Sequence, residues 1–86
     1  MTKSAKDYFA RSLKETVQDS KFYSCDFRIT EYEYNKLKKD RQELHELERY
    51  CQEVLDELET KYVLELDICK EYDYHYLRCQ WHILAE

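Results

Sequence analysis

The chain has 86 residues, 38% of them charged and 43% apolar or aromatic, with a formal net charge of −5. That length supports one small domain spanning residues 1–86 with a modest core, and the apolar share argues against a disordered chain. Glycine and proline are both absent, where average usage gives about ten of the two together. This counts against glycine-rich phosphate loops, dinucleotide fingerprints, nucleophile elbows and EF-hand loops, each of which needs glycine for a positive φ or a close backbone approach.

The elements follow in chain order. Residues 4–20, "SAKDYFARSLKETVQDS", open on a capping-box-like Ser4/Asp7 pair and repeat Ala5, Phe9, Leu13 and Val17 every four residues. This predicts a short amphipathic N-terminal helix. "KFYSCDFRI" alternates Tyr23, Cys25, Phe27 and Ile29 against Phe22, Ser24, Asp26 and Arg28, the period of a half-buried strand. Thr30 and Glu33 form a capping box before a run compatible with helix from Glu31 to about Thr60. Leu37, Leu44, Leu47, Cys51, Val54 and Leu58 make its apolar seam, and Tyr50 and Leu55 widen it, which suits packing on a sheet better than a coiled coil. Thirty helical residues reach about 45 Å against about 27 Å for an eight-residue strand, so the first half, with Lys36, Lys38, Lys39, Asp40 and Arg41, should overhang or break.

"YVLELDICK" alternates Tyr62, Leu64, Leu66 and Ile68 against Val63, Glu65, Asp67 and Cys69. A turn near "KEYD" leads to a last strand with Leu77, Cys79, Trp81 and Ile83 on one side. Opposing residues 68 and 75 pairs Leu66 with Leu77, Leu64 with Cys79, Tyr62 with Trp81 and Glu65 with Arg78. The expected fold is α+β in the order α-β-α-β-β. A small mixed or antiparallel sheet of about three strands packs on one long helix, and the crossover through that helix allows the first two strands to run parallel.

Three sets of side chains invite a chemical reading. His75, Cys79 and His82 would form a metal-ligating stripe on a helix, but on a strand His82 points away from the other two, so no metal is expected. Cys25, Cys51 and Cys79 fall on predicted core positions, Cys69 faces outward, and no base is designated for any of them, so no catalytic residue and no cofactor is assigned. A non-enzymatic chain with reduced thiols, no membrane span and a cytoplasmic location is the expectation. The third set is aromatic: Tyr72, Tyr74, Tyr76, Arg78, Gln80 and His82 share the sheet face away from the core, beside Glu65 and Asp67. Such residues suit a protein interface, unless the N-terminal helix covers them.

Charge is unevenly spread. Residues 1–39 carry nine Lys/Arg against six Asp/Glu, a balance of +3, whereas residues 40–73 carry four against twelve, a balance of −8. Glu46, Glu53, Asp56 and Glu59 fall on outward positions of the long helix and could occupy a surface built for nucleic-acid phosphates. Being short, acidic and tyrosine-rich without appended motifs, the chain resembles in composition the small accessory proteins of phages and other mobile elements. The expected function is a protein-binding inhibitor that blocks a basic, nucleic-acid-handling site by mimicry. The alternatives are a structural homo-oligomer, such as a homodimer, built through the long helix and a single-stranded nucleic-acid binder, which the negative charge disfavours.

Overall fold

The computed structural model describes residues 1–84. Helix α1 (Lys3–Asp19) is capped two residues before the predicted position: Thr2, in extended conformation, accepts the Ala5 amide on its Oγ1 at 3.2 Å. Phe9, Ala10, Leu13 and Val17 are buried, while Ala5, expected in the stripe, is exposed. Strand β1 (Ser24–Ile29) turns Cys25, Phe27 and Ile29 toward the core and leaves Ser24, Asp26 and Arg28 exposed. Tyr23, placed with the inward set by periodicity, lies outside the strand and is exposed.

The single long helix expected after Thr30 is two helices, α2 (Glu31–Lys39) and α3 (Arg41–Leu55). Asp40 makes the break. At φ −115° and ψ 87° its N–H still donates to the Lys36 carbonyl, closing α2, while its Oδ1 accepts the Glu43 amide and opens α3. An aspartate competes with the helix ladder in this way whenever the chain gains by turning, and a straight thirty-residue helix would overrun the sheet. The predicted Thr30 cap is present, its Oγ1 accepting from the Glu33 amide at 3.1 Å. Helix α3 ends at Leu55 rather than near residue 60, with Asp56 as its cap.

Strands β2 (Tyr62–Glu71) and β3 (Tyr74–Ile83) form a hairpin, and the sheet order is β1-β3-β2 with both pairings antiparallel. β1 and β2 therefore run in the same direction, as the crossover allows, but β3 lies between them. The hairpin register is shifted by two residues from the sequence expectation. Leu64 faces Trp81, Leu66 faces Cys79, Ile68 faces Leu77 and Asp67 faces Arg78. A two-residue shift preserves parity, so every side chain keeps its predicted face. The shift follows from the turn, which uses Tyr72 and Asp73. Tyr72 sits at φ 57°, a left-handed conformation normally given to glycine or asparagine. Its ring is fully outside the fold, so Tyr72→Gly should raise stability by about 0.5–1 kcal/mol in urea denaturation.

One contiguous core joins α1, α2 and α3 to the inner face of the sheet: Leu13, Leu37, Leu47, Leu55, Leu77, Cys51 and Cys79 are all but sealed from solvent. Leu44, Leu47, Cys51 and Leu58 are thus spent on the chain's own interior. Ile83, expected in the core, is half exposed at the strand end. One end of the core is tied by polar contacts. The Met1 amine donates to Glu43 at 2.9 Å and lies 3.4 Å from Glu33, with Lys36 3.5 Å from Glu43. The hydrogen bond from this amine holds the Glu43 carboxyl below its ordinary value, against the opposing effect of burial. A depressed carboxyl stabilises the fold above its unfolded pKa, and that contribution is lost as pH falls through the lower folded value. Glu43→Gln should therefore flatten the acid limb of a stability–pH profile below about pH 4.5. Among the described residues, no helix is long and apolar enough to cross a membrane.

Candidate functional site

The two faces of the sheet differ completely. Both α1 and α3 lie on the inner face, where Phe9 meets Phe27 edge-on at 5.1 Å and Leu64, Leu66, Leu77, Cys79 and Trp81 are buried. The predicted alternative of a face covered by the N-terminal helix is therefore not what the fold adopts. Tyr74, Arg78, Gln80 and His82 on β3, with Glu65 and Asp67 on β2, are exposed on the outer face, and Tyr76 is half-buried among them. Tyr72 is the exception: it belongs to the hairpin tip rather than to the strand face.

The outer face is organised by cross-strand contacts. The Arg78 Nε and Nη2 donate to the two Asp26 carboxylate oxygens at 3.0 and 3.3 Å, a fork on the neighbouring strand β1. Arg78 therefore pairs with Asp26 and not with Glu65, which faces Gln80. Asp67, directly opposite Arg78 on the other side, is reached by Arg41 at 3.6 Å. The Arg28 guanidinium lies 4.5 Å above the Tyr74 ring, and Tyr74 and Tyr76 are 6.3 Å apart. Asp26 and Arg28 were not candidates from sequence. Their outward positions were legible from the alternation of β1, but their place beside β3 depends on strand order, which no local pattern carries.

The predicted carboxylate row is only partly one surface. Glu46 and Glu53 are exposed on α3, but Asp56 is the helix cap and Glu59 lies in the bend beyond it. Asp56, Glu57 and Glu59 nonetheless gather at the α3 C-terminus, whose last turn holds no basic residue. Lys61 offsets them in part, its Nζ donating to the Asp56 and Leu58 carbonyls at 2.6 and 3.0 Å, and Lys14 pairs with Glu57 at 2.9 Å. Acidic groups at the negative end of a helix are unfavourable for the fold. The acidic side of α3 meets the open face across β2, where Glu48, Glu65, Asp67, Arg78 and Gln80 line one shallow depression.

The remaining candidates do not assemble chemistry. Residues 74–83 are a strand, so His75 and Cys79 turn inward and His82 outward, and His75 is buried against the Tyr34 ring at 4.8 Å. No group of three or more metal-ligating side chains occurs among the described residues. Burial, with the Glu48 charge behind it, pushes the Cys51 thiol up to about 12, and burial raises those of Cys79 and Cys25 as well, which withholds the thiolate a nucleophile needs. The concavity between α1 and α3 is closed by a hydrogen bond from the Tyr50 hydroxyl to Asp7 and by the Lys14–Glu57 pair. No family model, curated protein or solved structure matches this chain.

Proposed function

We infer that the chain is a non-enzymatic binding module that sets its open sheet face and the acidic end of α3 against a basic surface of another protein, as an inhibitor mimicking nucleic acid would. The observation that carries this reading is the outer face, which neither α1 nor α3 covers, where the Arg28 guanidinium lies over the Tyr74 ring and the tilted Tyr76 ring lies beside it, inside an acidic border of Asp26, Glu65, Asp67 and Glu71. Tyrosine and arginine anchors bury area at low entropic cost and are the residues over-represented among interface hot spots. Two features that work against stability point the same way. Tyr72 is held, fully exposed, in a conformation that favours glycine, and the acidic groups at the α3 terminus oppose the helix dipole. Four thiols with no disulfide among them suit the reducing cytoplasm.

Charge reversal separates this role from folding. The variant Glu53→Lys, Asp56→Lys, Glu59→Lys should keep or raise the melting temperature, yet lose a partner captured by the wild-type chain. Capture should weaken with salt and be displaced by duplex DNA. A captured partner that ignores both the substitutions and the DNA contradicts the mimicry. The neighbouring Tyr74 and Tyr76 rings beside Arg28 also favour a second reading, stacking of single-stranded bases on them. Titration with a labelled oligonucleotide decides between them, and the acidic border predicts no binding.

A further inference from the structure

The two edges of the sheet are treated differently. On β2 the outward-facing main-chain groups are satisfied by α3: Gln52 accepts the Leu64 amide at 2.9 Å and donates to the Tyr62 carbonyl at 2.8 Å, and Glu48 accepts the Leu66 amide at 2.8 Å. On β1 the odd-numbered residues bond to β3, as Trp81 N–H to the Tyr23 carbonyl shows, so Ser24, Asp26 and Arg28 turn their N–H and C=O groups to the free side. Among the described residues no helix side chain bonds to them. The strand reads "SCDFRI", without lysine, proline or bulge, and its two charged side chains, Asp26 and Arg28, are of opposite sign and so do not repel a second copy as a single-sign edge would.

We propose that this edge pairs with β1 of a second copy of the chain, antiparallel and centred on Phe27, giving a continuous six-stranded sheet. Residues 24–30 are complementary to their own reverse. With Phe27 opposite Phe27 of the partner subunit, Asp26 faces Arg28 of the partner subunit, Cys25 faces Ile29 of the partner subunit and Ser24 faces Thr30 of the partner subunit. Each rung is apolar against apolar, polar against polar, or acid against base. Asp26 and Arg28 are the residues whose main-chain groups point outward, so they form the hydrogen-bonded rungs, and their side chains meet on the open face. The neighbouring registers fail on charge: centring on Asp26 opposes two carboxylates, and centring on Arg28 opposes two guanidinium groups. Cys25, Phe27 and Ile29, half-buried in the single chain, become interior. Both open faces then lie on one side of the assembly.

An edge of this length belongs with small, transient interfaces, so association is expected between about 10 µM and 1 mM. Sedimentation across that range should show the mass of the wild-type chain rising toward that of a dimer. Arg28→Glu alone and Asp26→Lys alone should each stay monomeric, because each opposes like charges across both rungs. An equimolar mixture should associate again, since both rungs regain an acid–base pair, with circular dichroism reporting that each variant is folded. In the wild-type chain, which requires no substitution, amide exchange at Asp26 and Arg28 should slow by about twofold or more at 1 mM, in step with the dimer fraction, while Leu64 is unchanged. A wild-type chain that stays monomeric throughout, association that survives Arg28→Glu, a mixture of folded variants that does not associate, or exchange at Asp26 indifferent to concentration each overturns the proposal.

Discussion

Replacing Leu77 by alanine is expected to cost about 2–5 kcal/mol, the range for truncating a sealed leucine. The side chain has no exposed surface and sits on the central strand between Phe27 and Ile68, beneath the helix layer. Relaxation around it is limited, because β3 is fixed by ladders on both sides. A domain of this size holds about 5–15 kcal/mol in total, so the variant forfeits a large part of its stability, and its melting temperature should fall by roughly 10–25 °C. Ile83→Ala provides the internal comparison. On the same strand but 51% exposed, it should change stability by less than about 1 kcal/mol. Equal effects at the two positions would contradict the placement of the core.

The second large effect concerns the β2 edge. Glu48→Ala with Gln52→Ala leaves the Leu64 and Leu66 amides and the Tyr62 carbonyl without their partners. Each part-buried polar group deprived of a partner costs about 1–3 kcal/mol, so the double variant should lose several kcal/mol in urea denaturation. Exchange at Leu64 and Leu66 should accelerate selectively, and an uncovered edge should make the variant prone to aggregate. Glu48→Gln keeps an acceptor for the Leu66 amide and should recover most of its share. Recovery distinguishes loss of the hydrogen bond from loss of charge.

Much of this fold is legible in the sequence because each strand is buried on one side only. Alternation in residues 24–29, 62–69 and 74–83 gives strands with the correct inward faces, and the Thr30–Glu33 box marks the start of α2. The break at Asp40 is less legible. Every residue around it tolerates a helix, and the turn is imposed by the short sheet over which the chain must pack. The hairpin register differs by two residues from the one the pattern predicts, for a related reason. The predicted turn near "KEYD" holds no glycine to mark its two central positions, and Tyr72 occupies a conformation its side chain disfavours. The candidate site divides along the same line. The tyrosines and His82 are readable from period two, whereas Asp26 and Arg28 join them only through the β1–β3 pairing, and that depends on the whole topology.

The acidic groups illustrate a different limit. Sequence places Glu46, Glu53, Asp56 and Glu59 on one helical row, but a row is a surface only while the helix lasts, and α3 stops at Leu55. What survives is a concentration of negative charge at a helix end, close to where β2 begins. Asp7, Glu48 and Asp40, equally acidic by composition, are instead committed to Tyr50, the Leu66 amide and the Glu43 amide. Composition alone cannot sort carboxylates that hold the fold from those free to meet a partner.

Central to the proposed function is that the open sheet face, with the acidic end of α3 beside it and not the outer side of α1, meets a protein partner. Capture from a cell lysate by the wild-type chain, by Tyr74→Ala with Tyr76→Ala, and by Tyr8→Ala tests it directly. Tyr8 is equally aromatic and 76% exposed, but lies on α1. The account predicts that the double variant loses the captured protein while Tyr8→Ala retains it. Retention by the double variant together with loss by Tyr8→Ala would place the binding surface on α1 and contradict it.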